Sequence, residues 1–262
     1  MSLGLPRPSA YAGLVSSVDE PAAARVAAAP GRTLAAGTAR VFSARGARSP
    51  VPGEAEQSGE GVADLWARRA RVTEVLLPAS WATLLPENGD DDPALTGLSE
   101  PRETIYDGAN AYLNVAGQWT GFFLGDPAGP RGLNDPLWPL DALFGARGDV
   151  VSAGPEEVRG VAADRYRLTV DLARADAAVP AGLSVPAGPY RGLLRMPAEV
   201  WLDAAGLVRR VAISAEPPPG PAVELWSVTE LWDFGLAVYI VPPSPDEVAA
   251  PRDVDWDPGS ES

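Results

Sequence analysis

A mainly β (α+β) architecture is expected of this 262-residue chain because three stretches read as consecutive antiparallel strands. They are EEVRGVAADRYRLTVDL from Glu156, MPAEVWLDAAGLVRRVAIS from Met196 and AVELWSVTELWDFGLAVYI from Ala222. Within the first, Tyr166, Leu168, Val170 and Leu172 share one side while Arg165, Arg167, Thr169 and Asp171 share the other, the alternation of a sheet with one buried face.

Taken in order, residues 1–16 are punctuated by Pro and Gly and read as a loose segment. Asp19 is placed to cap a short Ala-rich helix, EPAAARVAAA, which Pro30-Gly31 is expected to stop. Thr38–Ala44 has strand character, and SPVPGEAEQSG after it has loop composition. GVADLWARRARVTEVLL, from Gly61, mixes helix formers with Val, Trp and Thr; its flanks favour a strand pair or one long bent strand. Residues 78–103 are loop-rich, with an acidic tip from Glu87 to Asp92. Thr104–Tyr106 and Asn110–Ala116 form a hairpin pattern about Asp107-Gly108, and a second hairpin crosses Gly117.

NDPLWPLDALFGA predicts a second helix, capped by Asp135, with Pro136 at its first position and Leu137, Leu140 and Phe144 on one face. Residues 179–197 read as a long connection, and Ala204-Ala205-Gly206 as a hairpin turn. These features give seven to eleven strands, two helices and an acidic tail. The expected division is a loose segment at 1–16, one domain at 17–248 and a tail at 249–262.

Composition narrows the function. The net charge is −14, so binding to nucleic acid through a basic face is disfavoured, as is attraction to anionic headgroups. With no His, no Cys and no Lys, a Ser-His-Asp or Cys-His site, a thiolate metal site and a Schiff base cannot be built. No nucleotide-binding glycine motif is present, and no cofactor is expected. Carboxylate pairs such as Glu156-Glu157 or Asp90-Asp91-Asp92 could in principle serve a hydrolase. Adjacent acids on a strand point to opposite faces, however, and an acidic loop tip is ordinarily just solvated. The chain is read as a non-enzyme.

The longest apolar run, Leu236–Val241, is far short of the ~20 residues of a spanning helix. The opening Met-Ser-Leu reads either as a native start or as residues standing where a leader was replaced. The first reading points to the cytoplasm and the second to the cell envelope. Eight Trp is many for this length, and in VELWSVTELWDF both faces are partly apolar. Such aromatics either fill a core or line an apolar pocket.

Several motifs, in order, resemble the actinobacterial LppX/LprG-type envelope lipoproteins, whose fold is LolA-like. They are GEGVADL from Gly59 with Arg68-Arg69, ExIYDGxxAY from Glu103, WPLDALFG from Trp138, VRGVxxxRYRxTVDL from Val158, EVWLDxxGLVRRV from Glu199, and ELWDFG from Glu230. The resemblance implies a strongly curved antiparallel half-barrel, with helices closing its concave face around an apolar cavity for acyl chains. It also implies a carrier or sensor without catalysis. Candidate cavity-lining residues are Trp119, Leu140, Phe144, Tyr166, Leu168, Val170, Trp201 and Trp232, and the expected partner is a lipid or other hydrophobic molecule. The alternative is a protein-interaction module with the same fold and a collapsed cavity.

Overall fold

The computed structural model describes residues 21–48, 54–76, 100–108, 110–123, 135–178, 195–215 and 224–249. The expected acidic tip, the cap at Asp19, most of the 179–197 connection and most of the tail lie outside them. Twelve strands form one curved, unclosed sheet. They are β1 (Thr38–Arg48), β2 (Glu54–Asp64), β3 (Arg69–Leu76), β4 (Arg102–Asp107), β5 (Asn110–Val115), β6 (Gln118–Phe123), β7 (Ala146–Val158), β8 (Val161–Asp171), β9 (Arg195–Leu202), β10 (Val208–Ala215), β11 (Glu224–Trp232) and β12 (Val248–Ala249). The spatial order is β12-β6-β5-β4-β3-β2-β1-β11-β10-β9-β8-β7. Every pairing is antiparallel except that of β12 with β6, which makes the sheet mixed. The ambiguous stretch after Gly61 is a strand pair, β2 and β3, aligned from Gln57 opposite Leu76 to Asp64 opposite Arg69.

Among the described residues, three α-helices accompany the sheet: α1 (Ala22–Ala35), α2 (Trp138–Ala142), continued by a 3-10 turn at Leu143–Gly145, and α3 (Leu172–Ala178). The first runs straight through Pro30 and Gly31. Pro30 forfeits one backbone hydrogen bond. It is itself buried, however, with Val26, Ala29, Thr33 and Leu34, and that packed stripe holds the helix together until Gly37, at φ 82°, turns the chain. The second helix starts later than its Asp135-Pro136 signal. Asp135 Oδ1 accepts from the Leu137 N–H at 2.8 Å, capping a preceding turn, and the helix proper begins at Trp138.

Register divides the sheet into two faces. On the inner face lie Ala39 and Val41, Ala63, Ala70 and Val72, Tyr166 to Val170 at alternate positions, Val200, Val211, Ile213 and Leu231, joined in one core with residues of all three helices. The helices pack chiefly over β7 to β11. No helix among the described residues is long and apolar enough to cross a membrane.

Candidate binding surfaces

Polar bonds fix the helices on the inner face. On α1, the Thr33 hydroxyl donates to the Ala29 carbonyl at 2.8 Å and accepts from the Val208 N–H at 2.9 Å. Arg25 reaches Asp164 and the Tyr166 hydroxyl, each at 2.9 Å, tying the helix to β8. The Thr229 hydroxyl donates to the Pro136 carbonyl at 2.6 Å, anchoring the approach to α2. That helix is also held by charge: Arg68, in the β2–β3 turn, pairs with Asp141 and lies 3.4 Å from Asp135, all three buried. The Arg68 Nε and Nη1 groups have no hydrogen-bond partner.

The inner face itself has two textures. Over β8 to β10 it is bulky, carrying Tyr166, Leu168, Val170, Met196, Val200 and Ile213. Over β1 to β3 it is built of small groups, with Ala39, Val41, Gly61, Ala63, Ala70 and Val72 in register. Gly61 is required there, because a Cβ would fall 1.9 Å from the Arg71 carbonyl oxygen.

At one end of this wall a buried polar cluster joins three strands. Glu74 accepts from Arg45 at 3.3 Å, from the Thr104 hydroxyl at 2.6 Å and from the Tyr106 hydroxyl at 2.9 Å. Burial, with Glu74 adding to it, pushes the Tyr106 phenol well above its ordinary range despite Arg45. Burial works against the Arg45 charge, but Tyr106 and Glu74 beside it more than offset that and raise its affinity for its proton.

The outer face carries a different chemistry. Phe42, Glu230, Arg210, Trp201 and Arg165 lie directly opposite one another on β1, β11, β10, β9 and β8. Arg210 pairs with Glu230 at 2.7 Å, and the guanidinium groups of Arg210 and Arg165 each stand 5.1 Å from the Trp201 ring. The Trp201 indole N–H donates to Glu156 at 3.0 Å. Arg159, at the β7–β8 turn, lies 3.7 Å over the Trp232 ring and bonds Glu230 at 2.7 Å. Val158 and Ala163 from the same hairpin pack with Trp201, burying it.

Glu199 is held by Arg165 and Arg167. Desolvation opposes its charge, and the two guanidinium groups outweigh that, so its carboxyl titrates below the ordinary glutamate range.

Open depressions lie among the described residues. One, of about 500 Å³, lies between the end of α1, Asp64, Trp66 and residues 235–238. Another, of about 400 Å³, lies against the outer face and is lined in part by Arg167, Pro197, Glu199, Ala212, Trp226 and Val228.

The eight residues singled out from the sequence separate accordingly. Leu140, Tyr166, Leu168 and Val170 are brought together in the inner core, with Phe144 half-buried against it. Trp201 and Trp232 stand on the outer face, one position out of phase with Val200 and Leu231. Trp119, opposite Asn114, is likewise out of phase with the inner Ala111 and Leu113. Sequence reading missed Arg45, Glu74, Thr104 and Tyr106, and the signal available for them was the pair Gly59 and Gly61 inside a strand. Of the acid pairs, Glu156 is engaged by Trp201, Arg165 and Arg210, while Glu157 is exposed; Asp90 to Asp92 lie outside the described residues.

No protein-family model matches the sequence, and no curated protein matches it. Among solved structures, LprF from Mycobacterium bovis is 14% identical, with 85% of this chain and 97% of that one covered and a TM-score of 0.47. The lipoprotein LppX from Mycobacterium tuberculosis is 13% identical, with 82% and 98% covered and a TM-score of 0.43. A LolA superfamily protein from Nitrosomonas europaea is 8% identical, with 87% and 96% covered and a TM-score of 0.29. These structures, each at most 14% identical and with a TM-score of 0.47 or below, are what the chain is similar to, and they assign it no family.

Proposed function

We propose that the chain is a non-enzymatic binder of a lipid or other hydrophobic ligand, held against the inner face of the sheet by one domain spanning 17–248, and that it works as a carrier or sensor in the cell envelope. The observation that supports this reading is the contrast along that face. Small groups at Ala39, Gly61, Ala63 and Ala70 line the inner face over β1 to β3, beside a bulkier region over β7 to β11 where the helices pack, and the three alanines are at most 1% exposed within the same core. An apolar chain laid on such a wall gains roughly 0.8 kcal/mol for each methylene removed from water, with no proton-transfer group needed. Arg–carboxylate pairing of Glu74, Asp141, Glu156, Glu199 and Glu230 further supports a scaffold role for these acids.

A second reading is favoured by one feature. Trp138, Leu140, Leu143, Met196 and Leu202 are at most 1% exposed, so the space beneath the helices is filled by side chains. An interaction module with a collapsed interior would have this property throughout. Organic extraction of the purified protein followed by mass spectrometry separates the two: the carrier releases lipid in near-stoichiometric amount, and the interaction module releases none.

A further inference from the structure

The depression at the end of α1 has a one-sided chemistry that binding on the inner face does not use. Of the described residues that line it, Asp64 alone is charged, while Leu34, Trp66, Leu236 and Val238 supply apolar surface. Its volume of about 500 Å³ is that of a small-molecule pocket. Trp66 is 44% exposed, so much of its ring stays accessible. The fold also brings acceptors there. At the end of the 14-residue α1, the Arg32 and Thr33 carbonyls accept from the Ala36 N–H, and the Leu34 carbonyl accepts from Gly37. The Ala35 carbonyl accepts from no described residue, and it lies at the negative end of the helix dipole. The Thr38 hydroxyl gives its proton to the Leu236 carbonyl at 2.7 Å, which leaves its oxygen as an acceptor.

The neighbouring cations are engaged elsewhere. Arg69, directly opposite Asp64, pairs with Asp107 at 2.6 Å, so one guanidinium stands against two carboxylates. Arg40 pairs with Asp233 at 3.2 Å, and Arg32 reaches Gly206 in the β9–β10 turn. Asp64 Oδ1 accepts the Ala67 N–H at 2.8 Å, which holds the carboxylate in place.

We propose that this depression binds an alkylammonium group, carried either by a free amine or by the amino headgroup of a lipid. Asp64 and the end of α1 receive its charge and its N–H donors. The Trp66 ring adds a cation–π contact, and Leu236 and Val238 receive the apolar carbons next to the nitrogen. A carboxylate in the same place would meet a charge and a helix end of its own sign, and a neutral alcohol would gain nothing from either. The site lies at the end of α1 and does not depend on the inner-face reading above.

The test titrates the full chain at low ionic strength with hexylammonium, 1-hexanol and hexanoate, three probes of one chain length, by isothermal calorimetry. The wild-type protein is expected to bind hexylammonium about ten-fold more tightly than 1-hexanol and hexanoate more weakly still, with added salt narrowing the gap. Asp64→Asn keeps an acceptor for the Ala67 N–H, and it should bring hexylammonium down to the 1-hexanol level. Trp66→Leu, at a half-exposed position and checked by circular dichroism, gives a second reading: it should weaken hexylammonium about five-fold. Dihexanoylphosphatidylethanolamine separates the two sources, since tighter binding than hexylammonium assigns the site to a lipid headgroup and weaker binding assigns it to a free amine. No binding of hexylammonium, affinities for it and 1-hexanol within about two-fold, or a preference that survives either variant unchanged would overturn the inference. Each of those results leaves the inner-face reading standing, because extraction of bound lipid tests that reading separately.

Discussion

On β8, β9 and β10 the inner positions Tyr166, Leu168, Val200, Val211 and Ile213 are all buried in the core with the helices, while one residue away Arg165, Arg167, Glu199 and Arg210 line the outer face in ion pairs. The outer charges are partly exposed, so each pair contributes little to stability, and their Arg groups instead cover the rings of Trp201 and Trp232. The few inner charges differ, because Arg68 with Asp141 and Arg45 with Glu74 are almost wholly removed from solvent. Charge on the inner side is thus where substitutions should be felt, and charge on the outer side is where they should be tolerated.

The largest effect should follow Asp141→Ala, which removes the nearer of the two buried carboxylates that face Arg68 and leaves Asp135 at 3.4 Å. Removing one partner of a buried pair costs about 3–5 kcal/mol, read as a fall in the urea midpoint. Replacing both, as Arg68→Met/Asp141→Leu, should recover most of that loss, since two Arg68 nitrogen groups already lack partners. If the double variant is as unstable as the single one, charge burial is not what couples α2 to the sheet. Next comes Gly61→Ala, which forces β2 away from Arg71 and should cost about 1–3 kcal/mol by overpacking. A neutral result in thermal unfolding would mean that the inner wall has more slack than the close approach of β2 and β3 implies.

The smallest effect should come from the outer face. Glu199 has its pKa depressed in the fold, so its contribution is present above the unfolded glutamate value near ~4.3 and is lost as pH falls through the lower folded value. Glu199→Gln should therefore lower stability by about 1 kcal/mol or less at neutral pH and reduce the slope of stability against pH in the acid range. An unchanged acid slope would remove Glu199 from the pairs that matter.

Much of the fold was legible because local pattern and tertiary demand agree. The alternation from Arg165 to Val170 gave the two faces of β8, and turn residues at Asp107-Gly108 and at Ala204 to Gly206 marked hairpins that the structure contains. Where they compete, reading fails. Pro30 signals a stop, yet burial of its own ring carries α1 onward, and Leu172 continues the apolar parity of β8 but begins α3. The binding surfaces were less legible. Parity within a strand is visible, but which parity faces the helices depends on partners far away in sequence, so Trp201 and Trp232 could not be told from Tyr166 and Val170. The Arg45, Glu74 and Tyr106 cluster spans three strands, and only the glycines of β2 hint that something crosses there.

The central claim is that the inner wall of β1 to β3, rather than the outer groove at Trp226, receives the apolar ligand. It is tested most directly by photolabelling the full chain with a diazirine-bearing fatty alcohol and mapping the modified residues by mass spectrometry. Labels are predicted at Ala39, Val41, Ala63, Ala70 and Val72, and competition with monoolein should remove them. Labels concentrated at Pro197, Ala212, Trp226 and Val228 instead, or none that monoolein displaces, would contradict the account.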